Sequence, residues 1–133
     1  MIFQGGEIQQ FMNIKTITKN NNLIALVQSN EVIIIDIQSS LDFMATVKYE
    51  TGCDRMVLNK AALTEDFFKL STRLAGEILQ KFINYHVKIA IIGDFSTYSS
   101  KSLKDFIYES NRGKDVFFVS TEEEAIEKLA FAQ

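Results

Sequence analysis

Three polar residues, Asp36, Asn59 and Asp94, each stand at or just past the end of a short apolar run. If those runs are parallel strands, the three side chains gather along one edge of a sheet. Ligands of open α/β sheets bind at that carboxyl edge. With Ser100 beside them, such groups suit a small ligand. Asp66, Asn111 and Arg112 extend the candidate set, and Arg112, exposed by its position in Glu109-Ser110-Asn111-Arg112-Gly113, could clamp an anion. The plainer assignment is capping and turn formation, at which Asp, Asn and Ser are all good.

Catalytic chemistry finds little support in the sequence. The lone His86 precedes an apolar run and reads as a helix-end residue favoured by the dipole. Cys53 has no basic cluster near it in sequence, and a reactive thiol needs an electropositive setting. The serines at 99, 100 and 102 lack a G-x-S-x-G context. Asp66, Glu77 or Asp94 could act as acid or base only if buried with a raised pKa. Two carboxylates without a His or Cys cluster imply no metal. The sequence therefore predicts no catalytic residue, no metal and no cofactor.

A second group favours recognition. Arg73, Glu77, Gln80, Lys81 and Asn84 fall on one side of a helix whose other side is Leu74, Ala75, Ile78, Leu79 and Phe82. The polar side is either a docking stripe for a protein partner or a solvated face laced by Arg73–Glu77 and Glu77–Lys81 ion pairs. Gly76 within it costs about 1 kcal/mol relative to Ala, which a close helix crossing would justify. Eleven phenylalanines are too many for all to face inward on a small domain. Phe95 and Tyr98, after Asp94, are the aromatics expected on the surface, where they would anchor an interface.

The elements that position these residues follow from periodicity. Residues 13–19 alternate as an edge strand, Asn20-Asn21-Asn22 turns the chain, and 23–28 completes a hairpin. Residues 31–36 predict a third short strand. Ser39 or Ser40 caps a helix to about Glu50, with Leu41, Phe43, Met44, Ala45 and Val47 inward, and Gly52 ends it. Residues 56–59 form a strand, and Ser71 or Thr72 caps the striped helix to about Tyr85. A strand over 86–92, a helix from Ser99 or Ser100 to Asn111, and a strand over 115–119 follow. Ser120 and Glu123 predict a capping box for a last helix over 121–131. This order predicts one α/β domain with a mixed sheet and about four helices.

Length and charge bound the rest. A chain of 133 residues fits one domain with one core. A net charge of −3 argues against a general nucleic-acid binder. No apolar run approaches the roughly 20 residues that span a bilayer, and no signal peptide is visible. One cysteine cannot form an internal disulfide, so the cytoplasm is the simplest compartment. Residues 1–11 lack clean periodicity and read as a leader, cloning remnant or upstream start.

The order of elements resembles the STAS domain of anti-sigma-factor antagonists. Met56-Val57-Leu58-Asn59 looks like the strand before the regulatory loop of those proteins. Asp66 falls where they often carry an Asp before a phosphorylatable Ser, but Phe67-Phe68 follows here, so phosphorylation at that position is chemically impossible. A more specific resemblance, over about half the chain, is to a bacterial family of unknown function numbered 4180. It rests on Asp66-Phe67-Phe68, on 74–82 with Asn84-Tyr85, on Gly93-Asp94-Phe95, on Asp105-Phe106-Ile107 and on 109–113. Where members tend to carry Gly after Thr72, this chain has Arg73. The resemblance implies a fold and no activity. The sequence thus favours a regulatory or protein-interaction module with an unidentified partner, and makes a homodimer plausible. The alternative is a small-ligand sensor at the sheet edge.

Overall fold

The computed structural model describes residues 12–133, and the expected leader over 1–11 lies outside them. β1 (Met12–Lys19) and β2 (Asn22–Ser29) pair antiparallel. Asn20 and Asn21 turn the hairpin at φ 54° and 62°, a left-handed geometry that Asn tolerates. Then come α1 (Ile37–Thr51), β3 (Arg55–Asn59), α2 (Leu74–Asn84), β4 (Lys88–Ile92), α3 (Lys101–Asn111), β5 (Val116–Val119) and α4 (Glu122–Phe131). The five strands lie in chain order in one mixed sheet, parallel from β2 to β5.

Strands in chain order, joined by right-handed crossovers, place every crossover helix on the same face. Phe43 and Val47 of α1, Ile78 and Phe82 of α2, and Leu103 of α3 share a core with Ala25, Val27, Met56, Leu58, Ile89, Ile91 and Phe118. The intervening residues Ile24, Val57, Ala90, Phe117 and Val119 face the other way and pack on Ala125, Leu129 and Ala130 of α4. The inner strands are thus buried on both faces, which is why they read as unbroken apolar runs. No helix among the described residues is long and apolar enough to cross a membrane.

Residues 31–36 form no strand. Ile34 makes a single bridge to Leu63, and Ile33 and Ile34 both donate to the Ala62 carbonyl, at 2.8 and 3.0 Å. The reason lies in Asn59. Its amide accepts from Ser29 N at 2.8 Å and donates to Ser29 O at 2.7 Å, which closes the β2–β3 pairing at that point. The following residues therefore hook onto the loop after β3.

The caps also shift. Asp36, not Ser39 or Ser40, is the N-cap of α1: its carboxylate accepts from Ser39 N at 2.8 Å while Asp36 N donates to the Ser39 hydroxyl at 3.1 Å. The Ser39 N–H, with the Ser39 hydroxyl that donates to the same carboxylate oxygen at 2.8 Å, holds the Asp36 carboxyl below its ordinary pKa. The α4 box is Thr121 with Glu124, one residue beyond the expected pair, because the Glu124 carboxylate collects Ser120 N, the Ser120 hydroxyl and Thr121 N together. Ala45 is exposed rather than inward.

The far end of α4 is clasped from across the molecule. Asn20 and Asn22 donate to the Ala130 carbonyl at 3.1 and 2.8 Å. The Arg55 guanidinium donates to the Leu129 carbonyl and, at 2.9 Å, to that of Ala132. A cation and two amides there satisfy terminal carbonyls that the helix itself cannot.

Candidate functional site

α2 has no side-chain N-cap, and Ser71 and Thr72 instead lie in a 3-10 turn. The Thr72 hydroxyl donates to the carbonyls of Lys69 and Asp66 and accepts from Leu74 N at 3.2 Å. Arg73 then opens the helix at φ 65° and ψ 2°. For a residue with a Cβ this left-handed geometry costs roughly 1–2 kcal/mol. The backbone turns left-handed here, a geometry that favours Gly, and this chain makes the turn with Arg.

From Arg73 the polar side of α2 faces outward as expected. Arg73, Glu77, Gln80 and Lys81 line a shallow groove of about 680 Å³ with Gly76, closed by Ile37, Leu70 and Phe106. Among the described residues neither the Arg73–Glu77 nor the Glu77–Lys81 ion pair forms, and none of these three charges has another ion-pair partner. Gln80 donates to Asn84 at 2.9 Å. Nothing lies within 4 Å of where a Gly76 Cβ would stand.

The expected ligand set does not assemble into one pocket. Asp36, Asn59 and Ser100 are committed to the α1 cap, the Ser29 bridge and the α3 cap, where Ser100 accepts from Leu103 N at 3.2 Å. Asp66 is exposed and 3.6 Å from Lys69. Asp94 accepts from Ser96 N at 3.0 Å and its hydroxyl at 2.6 Å, bonds that hold its pKa below the ordinary value. Arg112 lies over the Tyr108 ring, 5.7 Å from its centroid. Asn111 uses its amide on the backbone of Phe118. Within the set, Asp94 and Asn111 share a groove, about 610 Å³ along β5, with Ser96, Ser120, Glu124 and Lys128.

Phe95 and Tyr98 are half-buried, because an aromatic cluster draws them in. Phe68 stacks on Tyr98 at 5.4 Å and meets Phe95 at 5.9 Å. The Lys60 ammonium stands 5.1 Å from both the Phe68 and Tyr98 ring centroids and 3.6 Å from Glu65, whose carboxylate accepts the Tyr98 hydroxyl at 2.7 Å. Partial burial pushes Lys60 down, but Tyr98 and Glu65 outweigh it and leave its pKa raised. Lys60 and Glu65, absent from the expected sites, thus tie the loop after β3 to the loop after β4. Gly93 was the available signal: a Cβ there would stand 2.7 Å from Lys60 Cβ and 2.9 Å from its Cδ.

Among the described residues no three His, Cys, Asp or Glu side chains gather to hold a metal ion. The Asp94 carboxyl, a candidate acid or base, is held below its ordinary pKa by the hydroxyl and N–H of Ser96.

Residues 19–129 match a family model described as Domain of unknown function (DUF4180). No curated protein matches the chain.

Proposed function

The chain belongs to the DUF4180 family, and we propose that it is a non-enzymatic regulatory module that binds another protein through the outward face of α2. The observation that carries this reading is the groove along α2. Arg73, Glu77 and Lys81 stand about one turn apart, beside apolar Ile37, Leu70 and Phe106, with no ion pairs among the described residues. Unspent charges beside an apolar floor suit a protein partner, since charge sets register while apolar contact supplies affinity. The reading is also supported at the position after Asp66. Phe67 and Phe68 are buried there, so binding would proceed by docking without phosphorylation of that position.

The test replaces Gln80 with a photo-crosslinking amino acid, beside a control at exposed Lys114. Adducts at 80 that are absent at 114, and that disappear when Glu77→Lys is added, support the docking face. No adduct at 80, or equal adducts at both sites, overturns it.

A small-ligand sensor is the second reading, favoured by the groove that brings Asp94 and Asn111 beside Ser96, Ser120, Glu124 and Lys128. Native mass spectrometry of the full chain tests it. A retained small molecule that Asp94→Asn loses supports it, and a bare chain counts against it.

A further inference from the structure

The exposed face of α2 is complementary to itself. Successive helical residues turn by about 100°, so residues seven apart share a flank and residues four apart nearly do. On one flank stand Gly76 and Ile83, and on the other Glu77 and Lys81, with Gln80 between them. Gly76 is a notch, with open space where its Cβ would be, and Ile83 is a knob left 40% exposed. Each flank therefore carries both halves of a contact: an anion and a cation on one, a hole and a peg on the other.

A two-fold axis is the operation that uses such pairs twice. When two antiparallel helices are related by an axis perpendicular to the plane containing both, each flank meets its own equivalent. An axis passing beside Leu79 sets Glu77 opposite the second copy's Lys81, and Lys81 opposite the second copy's Glu77. The axis that seats Ile83 in the second copy's Gly76 notch differs by half a residue, under ~1 Å along a helix rising 1.5 Å per residue. Two independent requirements, one of charge and one of shape, thus select the same axis. Gln80 falls near that axis, and Arg73 comes opposite Tyr85, a residue 59% exposed and suited to a cation–π contact. A parallel arrangement would instead set the Glu77–Lys81 flank against the second copy's Gly76–Ile83 flank, leaving both the charges and the notch unmatched.

We propose that α2 is a homodimer interface, in which two copies pair antiparallel with Ile83 in the Gly76 notch and Glu77 on Lys81. This rests on the reading of α2 as the docking face and names its occupant as a second copy of this chain. It also gives a role to a helix-interior glycine that would otherwise only cost stability.

Sedimentation velocity of the full chain over a concentration series tests it. The wild type shifts from monomer to dimer as concentration rises. Glu77→Lys and Lys81→Glu each set like charges together and weaken the dimer about tenfold or more. The double exchange restores it. Gly76→Leu fills the notch and abolishes the dimer while thermal stability holds or rises, because Leu favours the helix, so loss of fold is not the cause. A chain monomeric at every concentration overturns the proposal, as does a dimer indifferent to Gly76→Leu and to both single charge reversals. A monomer that still forms adducts at position 80 with another protein defeats the second copy alone and leaves the docking face standing. A monomer with no adduct there defeats both.

Discussion

The side-chain amide of Asn111 pairs with both backbone groups of Phe118: Phe118 N donates to its Oδ1 at 2.7 Å, and its Nδ2 donates to Phe118 O at 3.1 Å. β5 is the last strand of the sheet, so at this residue the amide stands where a further strand would pair. Open strand edges template unwanted pairing, and proteins block them.

Asn111→Leu should leave that N–H and C=O without partners and cost about 1–3 kcal/mol in urea unfolding. It should also raise self-association in light scattering. A variant as stable and as dispersed as the wild type would show that water replaces the amide without loss.

Arg73→Gly should stabilise the fold by about 0.5–1 kcal/mol. Relief of the left-handed backbone exceeds the extra freedom that Gly gains in the unfolded chain. Urea midpoints measure this, and a loss of stability would mean that Arg73 makes contacts worth more than its strain.

Gly93→Ala should cost about 1–3 kcal/mol through overpacking. The new methyl meets Lys60 Cβ at 2.7 Å, Lys60 Cδ at 2.9 Å and the Phe95 ring edge at 3.2 Å. In a Lys60→Gly background the cost should fall, whereas Lys60→Ala keeps the offending Cβ and should give less relief. Additive effects in the Lys60→Gly cycle would contradict the contact.

Tyr98 should ionise above its ordinary value. Its burial comes first, and acceptance of its hydroxyl by Glu65 adds to it, outweighing the opposing pull of Lys60. The pKa of an acid raised on folding stabilises the protein below the unfolded value near 10 and loses that contribution as pH rises through the folded value. Raised Lys60 acts in the same alkaline window. Ultraviolet phenolate titration should show one of the four tyrosines lagging, a lag absent from Tyr98→Phe. Coincident titration of all four in the wild type would refute the burial and pairing.

The α/β order was legible because β3, β4 and β5 are short apolar runs between helices with one apolar side. Residues 31–36 misled because their apolar run matches a strand while their hydrogen bonds go to Ala62 and Thr64. Asn59 and Asn111 stood out as amides at suitable places. An amide that clasps a backbone has the same chemistry as one that grips a ligand, so sequence could not separate the two. The Lys60–Tyr98 contact joins two loops, and no local pattern announces it. The outward stripe on α2 was legible from helical spacing alone, but the absence of its ion pairs was not.

The clasp on α4 ties the first turn of the hairpin to the last turn of the last helix, with Asn20 and Asn22 reaching Ala130 across 110 and 108 residues of chain. Such a contact cannot form early during synthesis. Until Phe131 has left the ribosomal tunnel, the growing protein carries Ile24, Val57, Ala90 and Phe117 on a sheet face with no helix to cover them. Slow translation of α4 would prolong that exposure, and a chaperone that holds apolar strands would find its binding site on this face rather than under the three crossover helices.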